Sequence, residues 1–267
     1  TPGLQAAVVN IDDAQGARLQ AQLAARALDL WSYSLHGPAR LQAQGIGFAE
    51  GGLRFAVAEG AQREWLQTRL IGHYNVSNLL GVIATLRALG VPLAQAVRAC
   101  AALSPVPGRM EQIAQPGQPL VAVDYAHTPD ALAQALAALR PVAQARGGRL
   151  WCVFGCGGNR DASKRPLMGA AAQQGADAVL VTSDNPRGEV PQAIIDQILQ
   201  GMAPGAQAEP DRAAAIAQAV ARADATDVVL IAGKGHEDYQ EVQGVRHPFS
   251  DMAQARQALT VRQGGAA

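Results

Sequence analysis

Apolar positions recur along this chain in two different rhythms. In the first hundred residues, short apolar runs at 4–11, 28–35, 40–48, 53–58 and 65–71 are interrupted by Gly and Pro, and each reads as a strand. Asp12 and Asp13 offer a helix N-cap before residues 14–28. Helical spacing follows at 75–89 and 93–103, with Gly90 and Pro92 between. Ser104-Pro105-Val106-Pro107-Gly108 then resists regular structure, which predicts a domain boundary between 1–104 and 105–267.

Beyond the boundary, strand and helix alternate. Strands are predicted at 120–123, 150–154, 178–182 and 228–232. Helices are predicted at 129–139, 167–174, 191–201, 212–223 and 251–259. Pro129 suits a first helical turn, and Asp211 and Ser250 suit N-caps. Residues 239–249 suit a hairpin around Gly244. This alternation implies an α/β class with a Rossmann-like, mostly parallel sheet built from βαβ units.

Composition narrows the function classes. The 267 residues carry 22 basic and 22 acidic side chains, and this balance argues against a general nucleic-acid binder. Nearly half the residues are hydrophobic, enough for a sizeable core. No apolar run approaches the length of a membrane span, and the N-terminal residues lack a secretory pattern. Three cysteines form no disulfide framework, so a cytoplasmic location is expected. The only lysines are Lys164 and Lys234; all other basic residues are arginine.

Three Gly- and charge-rich loops follow three of the predicted strands. They are Gly155-Cys156-Gly157-Gly158-Asn159-Arg160-Asp161, Ser183-Asp184-Asn185-Pro186-Arg187, and Gly233-Lys234-Gly235-His236-Glu237-Asp238. In a parallel sheet they converge on the edge where α/β folds bind ligands. Arg160, Arg187 and Lys234 offer positive charge there, and Asp184 and Glu237 negative, a mixture suited to a zwitterion. Pro186 restrains Asn185, and Arg187 presents a fork that can grip a carboxylate bidentately. Each loop alone is equally an ordinary turn with solvated charges.

A second group could receive a nucleotide or phosphate. It comprises Gly72–Asn78 at a helix start, Gly108-Arg109-Met110-Glu111, and Asp124-Tyr125-Ala126-His127 between strand and helix. His127 alone reads more readily as a structural residue. Zinc-like spacing, a serine-hydrolase elbow and a Walker phosphate loop are all missing from the sequence.

Taken in order, GHYNVSNLLGVIATLRALG, VPGRMEQI, VDYAHTPDAL, WCVFGCGGNRDASKRPLMG, VTSDNPR and VLIAGKGHEDYQ resemble the Mur ligases of peptidoglycan synthesis. Within that family they resemble the branch that adds meso-diaminopimelate. The resemblance implies that 1–104 is part of the central ATP-binding domain and that 105–267 is the C-terminal domain binding the incoming amino acid. It implies ATP and Mg2+ as cofactors and UDP-MurNAc-L-Ala-D-Glu as the acceptor, activated as an acyl phosphate. It further implies a cytoplasmic role in cell-wall synthesis, cell shape and division, with the protein a monomer that binds no nucleic acid or membrane. Carried over by motif, Arg160, Asp184, Asn185, Pro186, Arg187, Gly233 and Glu237 hold diaminopimelate. Asn75, Arg109, Asp124 and His127 fall on the ATP side. No catalytic residue and no metal ligand is assigned.

The family's phosphate loop, its ATP-reaching lysine and its carbamylated lysine find no counterpart before Lys164. The chain is therefore expected to be inactive alone. The competing expectations are a non-catalytic amino-acid-binding module and another Mur or folylpolyglutamate-type ligase. Residues 1–104 are expected to be less stable than 105–267.

Overall fold

The computed structural model describes residues 3–49 and 51–264. The chain divides into two compact units, Thr1–Ser104 and Pro105–Ala267.

In the first unit, β1 (Ala6–Asn10), α1 (Ala14–Ala24), β2 (Asp29–Ser34), β3 (Leu41–Ala49), β4 (Gly52–Glu59), β5 (Gln62–Gln67), α2 (His73–Ala88) and α3 (Leu93–Ala101) follow in order. The sheet order is β1-β2-β3-β4-β5. β1, β2 and β3 run parallel, β4 pairs antiparallel with β3, and β5 pairs antiparallel with β4. β5 starts earlier than its apolar run suggests, because Glu59 pairs with Gln62 across the turn containing Gly60 (φ 57°). Backbone pairing recruits the polar Gln62, Arg63 and Glu64, which an apolar pattern does not register. Asp13 caps α1 by accepting from the Gln15 and Gly16 amides, both at 2.8 Å. α2 and α3 bury Val76, Leu80, Ile83, Ala96 and Val97 against Trp31, Leu41, Phe55 and Leu66 of the sheet. α1 ends at Ala24, short of the expected 28, and buries no residue fully.

The second unit contains β6 (Glu111–Ile113), β7 (Leu120–Asp124), α4 (Pro129–Arg146), β8 (Leu150–Phe154), α5 (Lys164–Gly175), β9 (Ala178–Thr182), α6 (Pro191–Leu199), β10 (Gln207–Glu209), α7 (Arg212–Arg222), β11 (Val228–Ala232), β12 (Tyr239–Val242), β13 (Val245–Pro248) and α8 (Asp251–Gly264). Its sheet runs β10-β9-β8-β11-β7-β6, parallel except for β6. Strands β7, β8 and β11 are buried along their whole length, as a parallel sheet covered on both faces requires. After stepping outward through β8, β9 and β10, the chain returns to insert β11 between β8 and β7. The winding direction reverses there, where open α/β sheets bind ligands.

α4 corrects the expected stop at residue 139. Thr128 caps it, Pro129 occupies its first turn, and it continues through Pro141 to a left-handed Gly147 (φ 69°). An internal proline costs about 3 kcal/mol in a helix. Burial of Leu136 and Leu139 before Pro141, and of Val142 and Ala143 after it, offsets that cost. β6 and β10 are short edge strands of polar sequence, Glu-Gln-Ile and Gln-Ala-Glu, and no apolar run announces them.

Candidate functional site

The C-terminal ends of β8, β9 and β11 deliver the three loops to one edge of the second sheet. Between them lies a cleft of about 480 Å³. Arg160, Asp184, Asn185, Arg187, Gly233 and Glu237 line it, together with His127. Pro186 is buried beside the cleft and does not line it.

Close backbone approach explains the glycines. Gly233 has φ 119°, and a Cβ there would collide with Asp184 Oδ2. A Cβ on Gly158 would collide with the Pro186 carbonyl, so the first and second loops meet backbone to backbone. The Gly158 amide seals this meeting by donating to the Asn185 carbonyl at 2.9 Å.

Charges within the cleft are wired together. Lys234 has no exposed surface, and its Nζ donates to Asn185 Oδ1 (3.0 Å) and Glu237 Oε2 (3.2 Å). Asn185 Nδ2 donates to the same Glu237 oxygen at 2.7 Å. Lys234 therefore compensates Glu237 rather than standing as an independent cation. Burial pushes the Asp184 carboxyl up from its ordinary range, against the pull of Arg212 and Lys234. Arg212 lies wholly buried beneath the strand ends. It pairs with Asp251 through two bonds of 2.7 Å and donates to the Ser183 and Ala232 carbonyls.

Arg187 Nη1 donates to the Gly158 carbonyl at 2.9 Å. Among the described residues, neither Arg187 nor Arg160 has a carboxylate partner within salt-bridge distance. The first loop is pinned from outside the cleft by Glu189, which accepts from the Asn159 amide and from Arg165 at 2.8 and 2.9 Å. The buried Arg165 guanidinium holds the Glu189 carboxyl down to about 2.

The residues assigned to the nucleotide side are divided between the units. Asn75 lies in the first turn of α2, where its Nδ2 donates to the Ile71 carbonyl at 2.7 Å. In the second unit, the Asp124 oxygens accept from the Met110 and Ala126 amides, both at 2.9 Å. Burial nonetheless raises the Asp124 carboxyl, with those bonds and Arg109 opposing. The Arg109 guanidinium lies 5.1 Å from the Tyr125 ring centre, and Tyr125 packs edge-on to His127 at 4.7 Å. Among the described residues, no three His, Cys, Asp or Glu side chains are grouped to hold a metal ion.

Sequence reasoning did not assign Tyr125, Cys156, Lys164 and Tyr239, which also line the cleft. It also passed over Arg165–Glu189 and Arg212–Asp251. A signal existed for Arg212, which shares helical spacing with the buried Ala215, Ile216 and Ala219. Burial pushes the Cys152 and Cys156 thiols up to about 12, so neither is an activated nucleophile. Among the described residues, no helix is long and apolar enough to cross a membrane.

A Rossmann-like α/β unit with a mixed-charge cleft at its strand C-terminal edge is thus the class that fold and site define. The sequence pattern of the Mur ligase middle domain matches residues 2–86, and that of the Mur ligase glutamate ligase domain matches 108–235. The chain belongs to the Mur ligase family. It is 73% identical over its whole length to UDP-N-acetylmuramoyl-L-alanyl-D-glutamate–2,6-diaminopimelate ligase of Acidovorax sp. (strain JS42), covering 53% of that protein. It is 50% identical to the enzyme of the same name from Neisseria meningitidis serogroup A, over 97% of the chain and 53% of the relative. A solved structure of a ligase of that name superposes with a TM-score of 0.74 at 38% identity, over 97% of this chain and 54% of the other. The chain therefore spans about half the length of the curated relatives it matches.

Proposed function

We propose that this chain supplies the amino-acid-binding part of an ATP-dependent amide ligase of peptidoglycan synthesis. The whole protein joins meso-diaminopimelate to UDP-MurNAc-L-Ala-D-Glu in the cytoplasm. The observation that carries this reading is the pairing pattern in the cleft. Arg160 and Arg187, neither within salt-bridge distance of a carboxylate among the described residues, line a space also lined by Glu237 and Asp184.

Diaminopimelate has two amino-acid ends, and only one amine reacts. In this reading Arg187 and Arg160 take the carboxylate of the far end, and Glu237 takes its ammonium. Asn185 and Lys234 hold Glu237 in place for that contact. Lysine lacks the far carboxylate and would leave the arginines unpaired, which disfavours it. ATP activates the glutamyl carboxylate of the acceptor for attack by the diaminopimelate amine. A solved ligase from Thermotoga maritima in the same fold holds ADP, at 16% identity and a TM-score of 0.63, and that likeness bears on the fold alone.

On the nucleotide side, Arg109 remains a candidate phosphate contact. Asp124 serves by fixing the 108–111 turn through Met110, since both its oxygens are engaged. No magnesium ligand is assigned to this chain. With no phosphate loop in the sequence, the chain by itself is expected to bind the amino acid without ligating it.

Calorimetry tests the reading. The chain is expected to bind meso-diaminopimelate and not lysine, and Arg187→Ala is expected to abolish the difference. Equal binding of diaminopimelate by parent and variant overturns it.

A further inference from the structure

The β12–β13 hairpin stands outside the core, yet it grips the Asp184–Arg187 loop residue by residue. Gln240 Nε2 donates to the Asp184 carbonyl at 2.7 Å. The Glu241 amide donates to Asn185 Oδ1 at 2.9 Å. The Arg187 amide donates to the Glu241 carbonyl at 2.9 Å, and the Arg187 carbonyl accepts from the Gln243 amide at 2.6 Å. Both peptide groups of Arg187 are thus captured by one hairpin, its amide by β12 and its carbonyl by the turn.

That capture holds an unfavourable backbone. Arg187 sits at φ 50°, a region that non-glycine residues rarely occupy. The element holding it is itself built on left-handed residues. Gln243 (φ 50°) and Gly244 (φ 77°) form the two-residue turn between the paired Val242 and Val245. Tyr239 at the hairpin base lines the cleft, and its ring lies 5.4 Å from Lys234 Nζ. β13 is exposed throughout, and no hairpin residue belongs to the buried core of the second unit.

We propose that this hairpin is a specificity-determining positioning element. By fixing Arg187 in its left-handed conformation, it aims the guanidinium at the far carboxylate of a diamino-dicarboxylic substrate. Asp-Asn-Pro-Arg is then insufficient for selectivity without the turn at Gln243–Gly244. The inference rests on the diaminopimelate reading of the cleft and adds to it a device remote from the ligand.

Two substitutions at one residue separate geometry from composition. Gln243→Pro removes the amide that holds the Arg187 carbonyl and forbids a positive φ. Gln243→Gly keeps both the amide and the turn. The experiment combines calorimetry with meso-diaminopimelate, hydrogen exchange at the Arg187 amide, and thermal unfolding, all on the 267-residue chain. Gln243→Pro is expected to weaken diaminopimelate binding by about tenfold or more, the scale of a lost charge-assisted contact. It is also expected to speed exchange at Arg187 while the main unfolding transition stays in place. Gln243→Gly is expected to stay within about twofold of the parent, since it loses no bond to Arg187.

Unchanged protection at Arg187 in Gln243→Pro overturns the inference, with or without ligand. Equal losses in the Pro and Gly variants overturn it as well. Should Gln243→Pro unfold, Gly244→Val takes its place by straining the left-handed turn (φ 77°), and unchanged protection at Arg187 with undiminished affinity there has the same consequence. A parent chain that binds no diaminopimelate overturns the cleft reading instead, and the exchange measurement still decides whether the hairpin holds Arg187.

Discussion

Lys234 Nζ stands 3.0 Å from Asn185 Oδ1, so the loops after β9 and β11 are joined through a lysine with no exposed surface. Lys234→Met keeps most of the stem but leaves Glu237 without its compensating charge. A lost bond of this kind, with a partner left unsatisfied, costs about 1–3 kcal/mol. Scanning calorimetry is expected to show the transition of the second unit falling by roughly 5 °C. A variant that melts with the parent would contradict the wiring.

Glu189 carries a pH signature. Its carboxyl sits at about 2 in the folded chain, against an ordinary 4.5, because Arg165 holds the ionised form. A lowered carboxyl contributes stability that is fully present above 4.5 and is lost as pH falls towards 2. Glu189→Gln is expected to flatten this part of the acid limb. Urea unfolding midpoints between pH 5 and pH 2 check it, and parallel curves for parent and variant would refute it.

The buried Arg212–Asp251 pair predicts a marked non-additivity. Asp251→Asn leaves a wholly buried guanidinium without its counter-charge and is expected to cost about 3–5 kcal/mol. Replacing both residues by apolar ones of similar volume is expected to cost less than either single change. A double-mutant cycle by chemical denaturation measures the coupling, and additive losses would show that the pair carries none.

In the first unit, α1 buries no residue fully, whereas α2 buries Val76, Leu79, Leu80, Ile83 and Ala84. Local opening follows burial, so α1 amides are expected to exchange well before those of α2. Hydrogen exchange read peptide by peptide decides this. It also tests whether residues 1–104 are on average less protected than 105–267.

The central strands of the second unit were legible because largely buried parallel strands are continuous apolar runs. Residues 150–154, 178–182 and 228–232 read directly as β8, β9 and β11. The convergence of three loops followed from that pattern and from strand polarity. What stayed hidden depends on partners distant in sequence. β6 and β10 exist because an edge accepts them, and α4 passes Pro141 because its flanking residues are buried. At the site, Lys234 was visible as a cation but not as the partner of Glu237 three residues on, since that pairing rests on burial and on the hydrogen bonds that Asn185 of another loop makes with both groups. The hold of the hairpin on the Asp184–Arg187 loop was equally invisible, because three of its four bonds use backbone amides.

The placement of β11 between β7 and β8 also has a consequence in time. Leu120 pairs with Val228, roughly a hundred positions later, and Leu150 pairs with that same residue. Until Val228–Ala232 leaves the ribosome, β7 and β8 have no strand between them, and their facing backbone edges wait unpaired. Nascent chains of this unit should therefore depend on holding factors late in synthesis, and the ligand edge should form only once most of the polypeptide exists.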